Sequence, residues 1–211
     1  MEEKSKLIQA YKDLTLETGQ FPVSIFAVCE KAGVERPKFH DHFGNFGHLQ
    51  QALWEDYFYT TVRTIEGADQ YATYMVREKL LAFYFTFLEV LGQDREFVCR
   101  FEKQLGIWNY NPECLKDLKP LFLAFLTELV EEGKSSEEIA ERYVLGNDYP
   151  GWHWPQFLYL VNFWMRDRSE GYQRTDQAVE KAVNMGFDIM GRNVLDSVFD
   201  FARFAFTNQR S

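Results

Sequence analysis

The sequence predicts an all-α protein, and three observations predict it. Apolar residues recur three and four positions apart along nearly the whole chain. No segment alternates apolar and polar residues with the period of two that a half-buried strand requires. Capping residues, glycines and prolines fall between the periodic segments, where helices start and stop. The expected architecture is a small N-terminal three-helix module containing a helix-turn-helix, followed by a larger helical bundle. We expect about nine or ten helices, with the module at 1–46 and the bundle at 47–211.

Residues 3–18 make an amphipathic helix ending at Gly19, with Pro22 in the connection that follows. Ser24 is an N-cap for the next helix, on which Ile25, Val28, Cys29 and Ala32 hold helical spacing. Gly33 stops that helix, since glycine enters the left-handed conformation without strain. Val34 fills the corner. Glu35 or Arg36 opens a second short helix, and Pro37 is tolerated in its first turn because that N–H has no intrahelical partner. Phe39 and Phe43 give this helix an inner face and leave Arg36, Lys38, His40, Asp41 and His42 outward. Two short helices across a glycine turn form a helix-turn-helix.

Further helices are predicted from Phe46 to about Glu66, over 70–91, from Phe97 to about Trp108, and from Pro112 to about Glu132 with a kink at Pro120. Ser135 and Glu138 have the spacing of a capping box and predict a short helix from there to about Leu145. Gly146–Gly151 reads as a loop, and helices follow from Trp154 to about Asp167 and from Thr175 to about Phe206.

Composition narrows the function. The 211 residues are 46% hydrophobic, enough for a sizeable core, yet no apolar run is long enough to span a bilayer and no signal peptide is expected. Cys29, Cys99 and Cys114 are odd in number and widely spaced, which predicts free thiols in a reducing cytoplasm. The net charge is −9, and residues 1–50 carry six basic against seven acidic side chains. A global field attractive to DNA is therefore missing, although a local basic surface is compatible with these numbers. No phosphate loop, nucleophile elbow or zinc-protease motif occurs, so we expect no enzyme and no cofactor. His40 and His42, two apart on a helix, point to different sides, and no metal site is expected.

The first quarter of the chain resembles the TetR family of bacterial one-component repressors. The resemblance is carried by Leu7, Ile8, Ala10 and Leu14, then Gly19, Ser24-Ile25, Ala32-Gly33-Val34, Phe39, the His42-Phe43 pair, Asn45, Leu49 and Ala52-Leu53. It implies a dimer on a pseudo-palindromic double-stranded DNA operator, with DNA contacts falling on Ser24, Arg36, Pro37, Lys38, His40 and His42. Arg36, Lys38 and His40 carry donors for guanine edges or phosphates. Three positions depart from the family pattern: Phe26 where an arginine is frequent, Phe46 in place of lysine, and Asp41 where an uncharged residue is common. Loss of two phosphate cations lowers sequence-independent affinity and its salt slope.

Aromatic residues make up 17% of the chain. They cluster at Phe83–Phe87, at Trp108-Asn109-Tyr110 and at Tyr149–Trp154, the last two read as loops. One account is that these rings plug gaps between helices. The other is a pocket for an apolar small-molecule or lipid effector, lined by Tyr84, Phe87, Trp108, Tyr110, Trp152 and Trp154. The resemblance implies such a pocket in the body of the protein. The long C-terminal helix has a wide apolar stripe, and with Trp154–Met165 it predicts a two-fold homodimer interface including Phe163, Ala182, Gly186, Phe187, Met190 and Val194. Two functions follow: a ligand-responsive dimeric repressor, or a TetR-fold lipid- or isoprenoid-binding protein that has lost DNA binding. The stretch Phe163–Ser169 with Thr175-Asp176 is similar to a lipid-binding, TetR-like protein of ubiquinone biosynthesis.

Overall fold

The computed structural model describes residues 2–106, 109–139 and 149–190. Among the described residues there are nine α-helices and no strands: α1 (Glu2–Thr18), α2 (Ile25–Ala32), α3 (Arg36–His42), α4 (Phe46–Glu66), α5 (Val76–Gln93), α6 (Arg95–Val98), α7 (Leu118–Ser135), α8 (Tyr149–Arg166) and α9 (Gln173–Met190). Helices α1–α3 pack on one another, and α5 is the central helix of the body, flanked by α4, α7 and α9. The all-α expectation holds. Among the described residues no helix is long and apolar enough to cross a membrane.

Several boundaries differ from the sequence reading. The helix expected over 70–91 begins only at Val76. The Glu78 carboxylate accepts from the Met75 amide (2.9 Å) and that of Glu138 from the Val76 amide (3.0 Å), which fixes the start. The helix expected from Phe97 to Trp108 stops early: α6 ends at Val98, and turns follow. The chain continues in i→i+3 turns, the Glu102 amide on the Cys99 carbonyl (3.2 Å) and the Gln104 amide on that of Phe101 (2.8 Å), and the Leu105 and Gln104 carbonyls then accept from the side-chain amides of Asn162 and Asn109 (2.8 Å). Pro120 lies in the first turn of α7, where a missing N–H costs nothing, rather than at a kink. The capping box at Ser135 is overturned. Ser135 ends α7 with its hydroxyl donating to the Glu131 carbonyl (2.9 Å), Glu137 takes a positive φ of 62°, and Glu138 serves α5. Residues 140–148, where its helix was expected, lie outside the described residues, as does the expected extension of the last helix beyond Met190. Helix α8 starts at Tyr149, so Trp154 is a helical residue and not a loop tryptophan.

Helices α8 and α9 meet closely inside the subunit. A Cβ placed on Gly186 would approach His153 Cε1 to 2.8 Å, so this glycine admits the α8 imidazole. His153 is buried, and its Nδ1 lies 2.7 Å from Gln156 Oε1. Burial lowers the His153 pKa from the ordinary 6.5, against an opposing contribution from Gln156. The unfolded chain takes up a proton near pH 6.5 that the folded chain resists, so this contribution to stability is whole above pH 6.5 and is lost as pH falls toward the lower folded-state value. Melting temperatures followed between about pH 5 and 8 should fall on the acid side for the wild type, and His153→Gln should flatten part of that fall.

Candidate nucleic-acid interface and the body behind it

The helix-turn-helix forms from local chemistry. The Ser24 hydroxyl accepts from the Ala27 amide (3.3 Å), Gly33 adopts the left-handed conformation at φ 63°, and its amide closes on the Glu30 carbonyl (3.2 Å). Val34 is buried in the corner. Phe39 of α3 and Phe43 just past its end are buried, their rings 5.6 Å apart. Asn45 caps α4 by accepting from the His48 amide (3.0 Å). Phe46, the residue standing in place of lysine, is half-buried and packs on Tyr11 (5.1 Å) and Phe39 (5.6 Å). It brackets α1, α3 and α4 together.

The outward side of α3 presents Arg36, Pro37, Lys38, His40 and Asp41. These residues are not equally available. Arg36 has no ion pair among the described residues. Lys38 lies 4.0 Å from Glu3 and 3.8 Å from Asp41. His42 is half-buried, with Nε2 3.6 Å from the Glu3 carboxylate. Glu3 of α1 thus faces two of the expected DNA-contacting groups. Ser24 is exposed at the start of α2, beside Val23, which is 97% exposed, and Phe26, which is 62% exposed.

A joint between distant segments ties this module to the body. Asp94, between α5 and α6, accepts from the Tyr57 hydroxyl (2.8 Å) and pairs with Lys12 of α1. Phe21 inserts between Phe101 (4.7 Å) and Phe97 (6.1 Å), while Arg100 donates to the Gly19 carbonyl (3.4 Å). The next residue, Arg95, turns the other way. Its guanidinium lies 4.6 Å from both the Trp164 and Tyr172 rings and donates to the carbonyls of Trp164 (3.1 Å), Met165 (3.3 Å) and Asp167 (3.1 Å) at the end of α8. Two adjacent residues therefore grip α1 on one side and the α8–α9 corner on the other.

Comparisons with known proteins agree with this architecture. Residues 79–205, more than half of the chain, match the family model described as the tetracyclin repressor-like C-terminal domain. The chain belongs to the TetR family. Its fold is similar to that of a crystal structure at 2.07 Å of a protein from Syntrophomonas wolfei str. Goettingen assigned to the TetR-family transcriptional regulators. The TM-score is 0.65 at 16% identity, over 92% of this chain and 97% of the other. A comparison with curated proteins returns no match.

Among the body residues expected in a TetR-type effector pocket, Tyr84, Phe87 and Trp154 come together. They are buried and joined through Phe157, whose ring lies 5.2 Å from Phe87, 5.3 Å from Trp154 and 6.5 Å from Tyr84. Tyr110 is different. Its ring is exposed under the Lys119 ammonium (4.4 Å), and only its carbonyl reaches inward, accepting from Trp154 Nε1 (2.8 Å). Trp108 and the Trp152 side chain lie outside the described residues. The Tyr84 hydroxyl is fully buried without a hydrogen-bond partner among the described residues, and burial drives its pKa well above the ordinary value. A buried, unpaired hydroxyl is costly.

Of the residues expected at a dimer interface, Phe163 and Ala182 line an open groove of about 740 Å³ along α8 and α9, with Tyr159 and Met185. Gly186 instead receives His153, and Phe187 is buried within the subunit under the Arg77 guanidinium (5.4 Å). The Met190 side chain and Val194 lie outside the described residues. Among the described residues no group of three or more His, Cys, Asp or Glu side chains is placed to hold a metal ion.

Proposed function

We propose that this TetR-family chain is a ligand-responsive, dimeric DNA-binding regulator acting as a repressor in the cytoplasm, by binding rather than catalysis. The observation that carries the reading is the outward face of α3, where Arg36 has no ion pair among the described residues, on a helix braced by α1, α2 and Phe46. In a two-fold dimer, two such helices enter successive major grooves of a pseudo-palindrome. An apolar small molecule or lipid would bind in the aromatic body, with the Tyr84 hydroxyl as its hydrogen-bonding partner. The response travels through Asp94 and Arg95, since a change at the α8–α9 corner is felt at α1 through adjacent residues. Regulation of this kind requires the effector to bind the two arrangements with different affinity.

Selection of duplexes by the purified protein from a random pool tests the reading. Enrichment of a two-fold symmetric sequence at physiological salt is expected, and absence of enrichment after organic extraction of bound apolar molecules would sink it. A TetR-fold lipid carrier is the second reading, favoured by the engagement of Lys38 and His42 with Glu3. Dimerisation has its own test. The groove with Tyr159 (49% exposed) and Met185 (58% exposed) supports an isologous contact between copies of α8 and α9. Tyr159→Glu combined with Met185→Glu should convert a dimer into a folded monomer in sedimentation equilibrium. A wild type that sediments as a monomer would remove this face from the account.

A further inference from the structure

The corner between α8 and α9 holds a cationic cleft that the proposed function has not used. It is a recess of about 330 Å³ lined by Arg166 at the end of α8, Arg168 just past it and Arg174 in the first turn of α9. Arg166 is committed, its Nε donating to Glu102 (2.8 Å). Arg168 and Arg174 are exposed, and neither guanidinium has a partner among the described residues. The acid on the wall, Asp167, is occupied within the turn. Its carboxylate accepts from the hydroxyl and amide of Ser169 (2.7 and 2.8 Å) and from those of Thr175 (2.7 and 2.9 Å). Arg168 and Arg174 each adjoin this network in sequence, so the turn fixes where their backbones stand. Asn162 also lines the cleft and is 2% exposed. Its amide donates to the Leu158 (2.9 Å) and Leu105 carbonyls, and its Oδ1 has no partner among the described residues.

We propose that this cleft binds a phosphoryl group carried on a small hydroxylated body. Two unpaired guanidiniums match the near-dianion that a phosphate monoester carries at neutral pH, and their planar forks suit its oxygens. Asn162 Oδ1, a buried acceptor left unpaired, is the partner for a hydroxyl beside the phosphate. The Tyr159 and Phe163 rings, 5.9 Å apart on the same wall, receive the C–H surface of the ester. The volume suits a small ligand. The cleft adjoins the groove assigned to the contact between copies and shares Tyr159, Phe163 and Arg174 with it, but Arg166, Asp167 and Arg168 do not line that groove. It shares no lining residue with the Tyr84 cluster, and it stands independently of the DNA-binding reading. Arg95 holds the carbonyls of Trp164, Met165 and Asp167, so the anion sits on the α8 end of the joint to α1.

Calorimetric titration of the full chain with glycerol 3-phosphate at physiological salt should show saturable binding, one ligand per subunit. Arg168→Gln and Arg174→Gln are exposed changes whose folding is checked by melting curves, and each should weaken binding about tenfold. Arg166→Gln should cost less, because Glu102 already holds that guanidinium. Lys181→Gln removes a cation from α9 outside the cleft and should leave the affinity unchanged. Lactate, a hydroxylated anion of single charge, should bind about tenfold more weakly than the phosphate. Binding of the phosphate should tighten between about pH 5 and 7, as its second ionisation completes. Inorganic phosphate and a short-chain phosphatidic acid identify the source. Whichever of the three phosphates binds tightest names a free ion, a small ester or a lipid headgroup, and each ranking supports the site when both arginine effects accompany it. No saturable binding of any of the three, equal losses for Lys181→Gln and the arginine variants, or lactate bound as tightly as glycerol 3-phosphate would overturn the inference.

Discussion

Replacing Arg36 with alanine is expected to weaken operator binding by about 1–3 kcal/mol per half-site while leaving the melting temperature unchanged. The size follows from availability. Arg36 is exposed near the start of α3 without an ion pair among the described residues, so its donors are free for a guanine edge and no internal partner is stranded by its removal. Lys38→Ala should do less. Its ammonium lies within 4.0 Å of Glu3 and 3.8 Å of Asp41, and transfer to DNA gives up part of those contacts. The expected signature of Lys38→Ala is a small, sequence-independent loss with a shallower salt slope, whereas Arg36→Ala should relax the choice of base at one position. Gel-shift titrations against the operator and single-base variants distinguish the two. An affinity indifferent to both substitutions would remove them from the reading surface.

Trp154→Ala should destabilise the protein by about 3–5 kcal/mol in denaturant unfolding. The indole is fully buried, stacked at 10° on Phe157 (5.3 Å) and tilted against Phe122 (6.1 Å). Its removal leaves a void beside the Phe122 and Phe157 rings and strands the Tyr110 carbonyl that Trp154 Nε1 now satisfies. Trp154→Phe separates these contributions, because it retains most of the ring contact and loses only the N–H. The same variants test the effector reading. A protein that melts lower but still yields the same apolar molecules on organic extraction assigns Trp154 to packing alone, and loss of those molecules in the milder Trp154→Phe variant assigns it to the pocket wall.

How far the fold was legible depends on the range of the interactions involved. The α2–α3 unit could be read because each determinant is local: Ser24 caps three residues on, Gly33 turns at the helix end, Pro37 sits in a first turn, and Phe39 and Phe43 are one turn apart. The same local pattern misled at Ser135 and Glu138, because Glu138 finds the α5 N-terminus, 62 residues away, before it can cap a helix of its own. The helix expected from Phe97 gives way to turns after Val98, and the side-chain amides of Asn162 and Asn109 that meet the Leu105 and Gln104 carbonyls are not announced by any periodicity. Nor was the joint at Asp94 and Arg95 visible. Lys12 and Asp94 are 82 residues apart, and no local pattern in the sequence links them. Among candidate site residues, exposure of Arg36, Lys38 and His40 followed from the face opposite Phe39, while the engagement of Lys38 and His42 by Glu3 needed the packing of α1 on α3. The aromatic residues could be recognised as important but not sorted, since burying Trp154 and exposing Tyr110 are tertiary decisions.

The most direct test of the central claim is a specificity ratio. The affinity of the purified protein for its selected operator is compared with that for a scrambled duplex of equal length and composition, at physiological salt. A sequence-reading regulator should prefer the operator by about a thousandfold or more. A ratio near one, with the protein freed of bound apolar molecules and shown to be dimeric, would contradict the account and leave the aromatic body, not α3, as the seat of function.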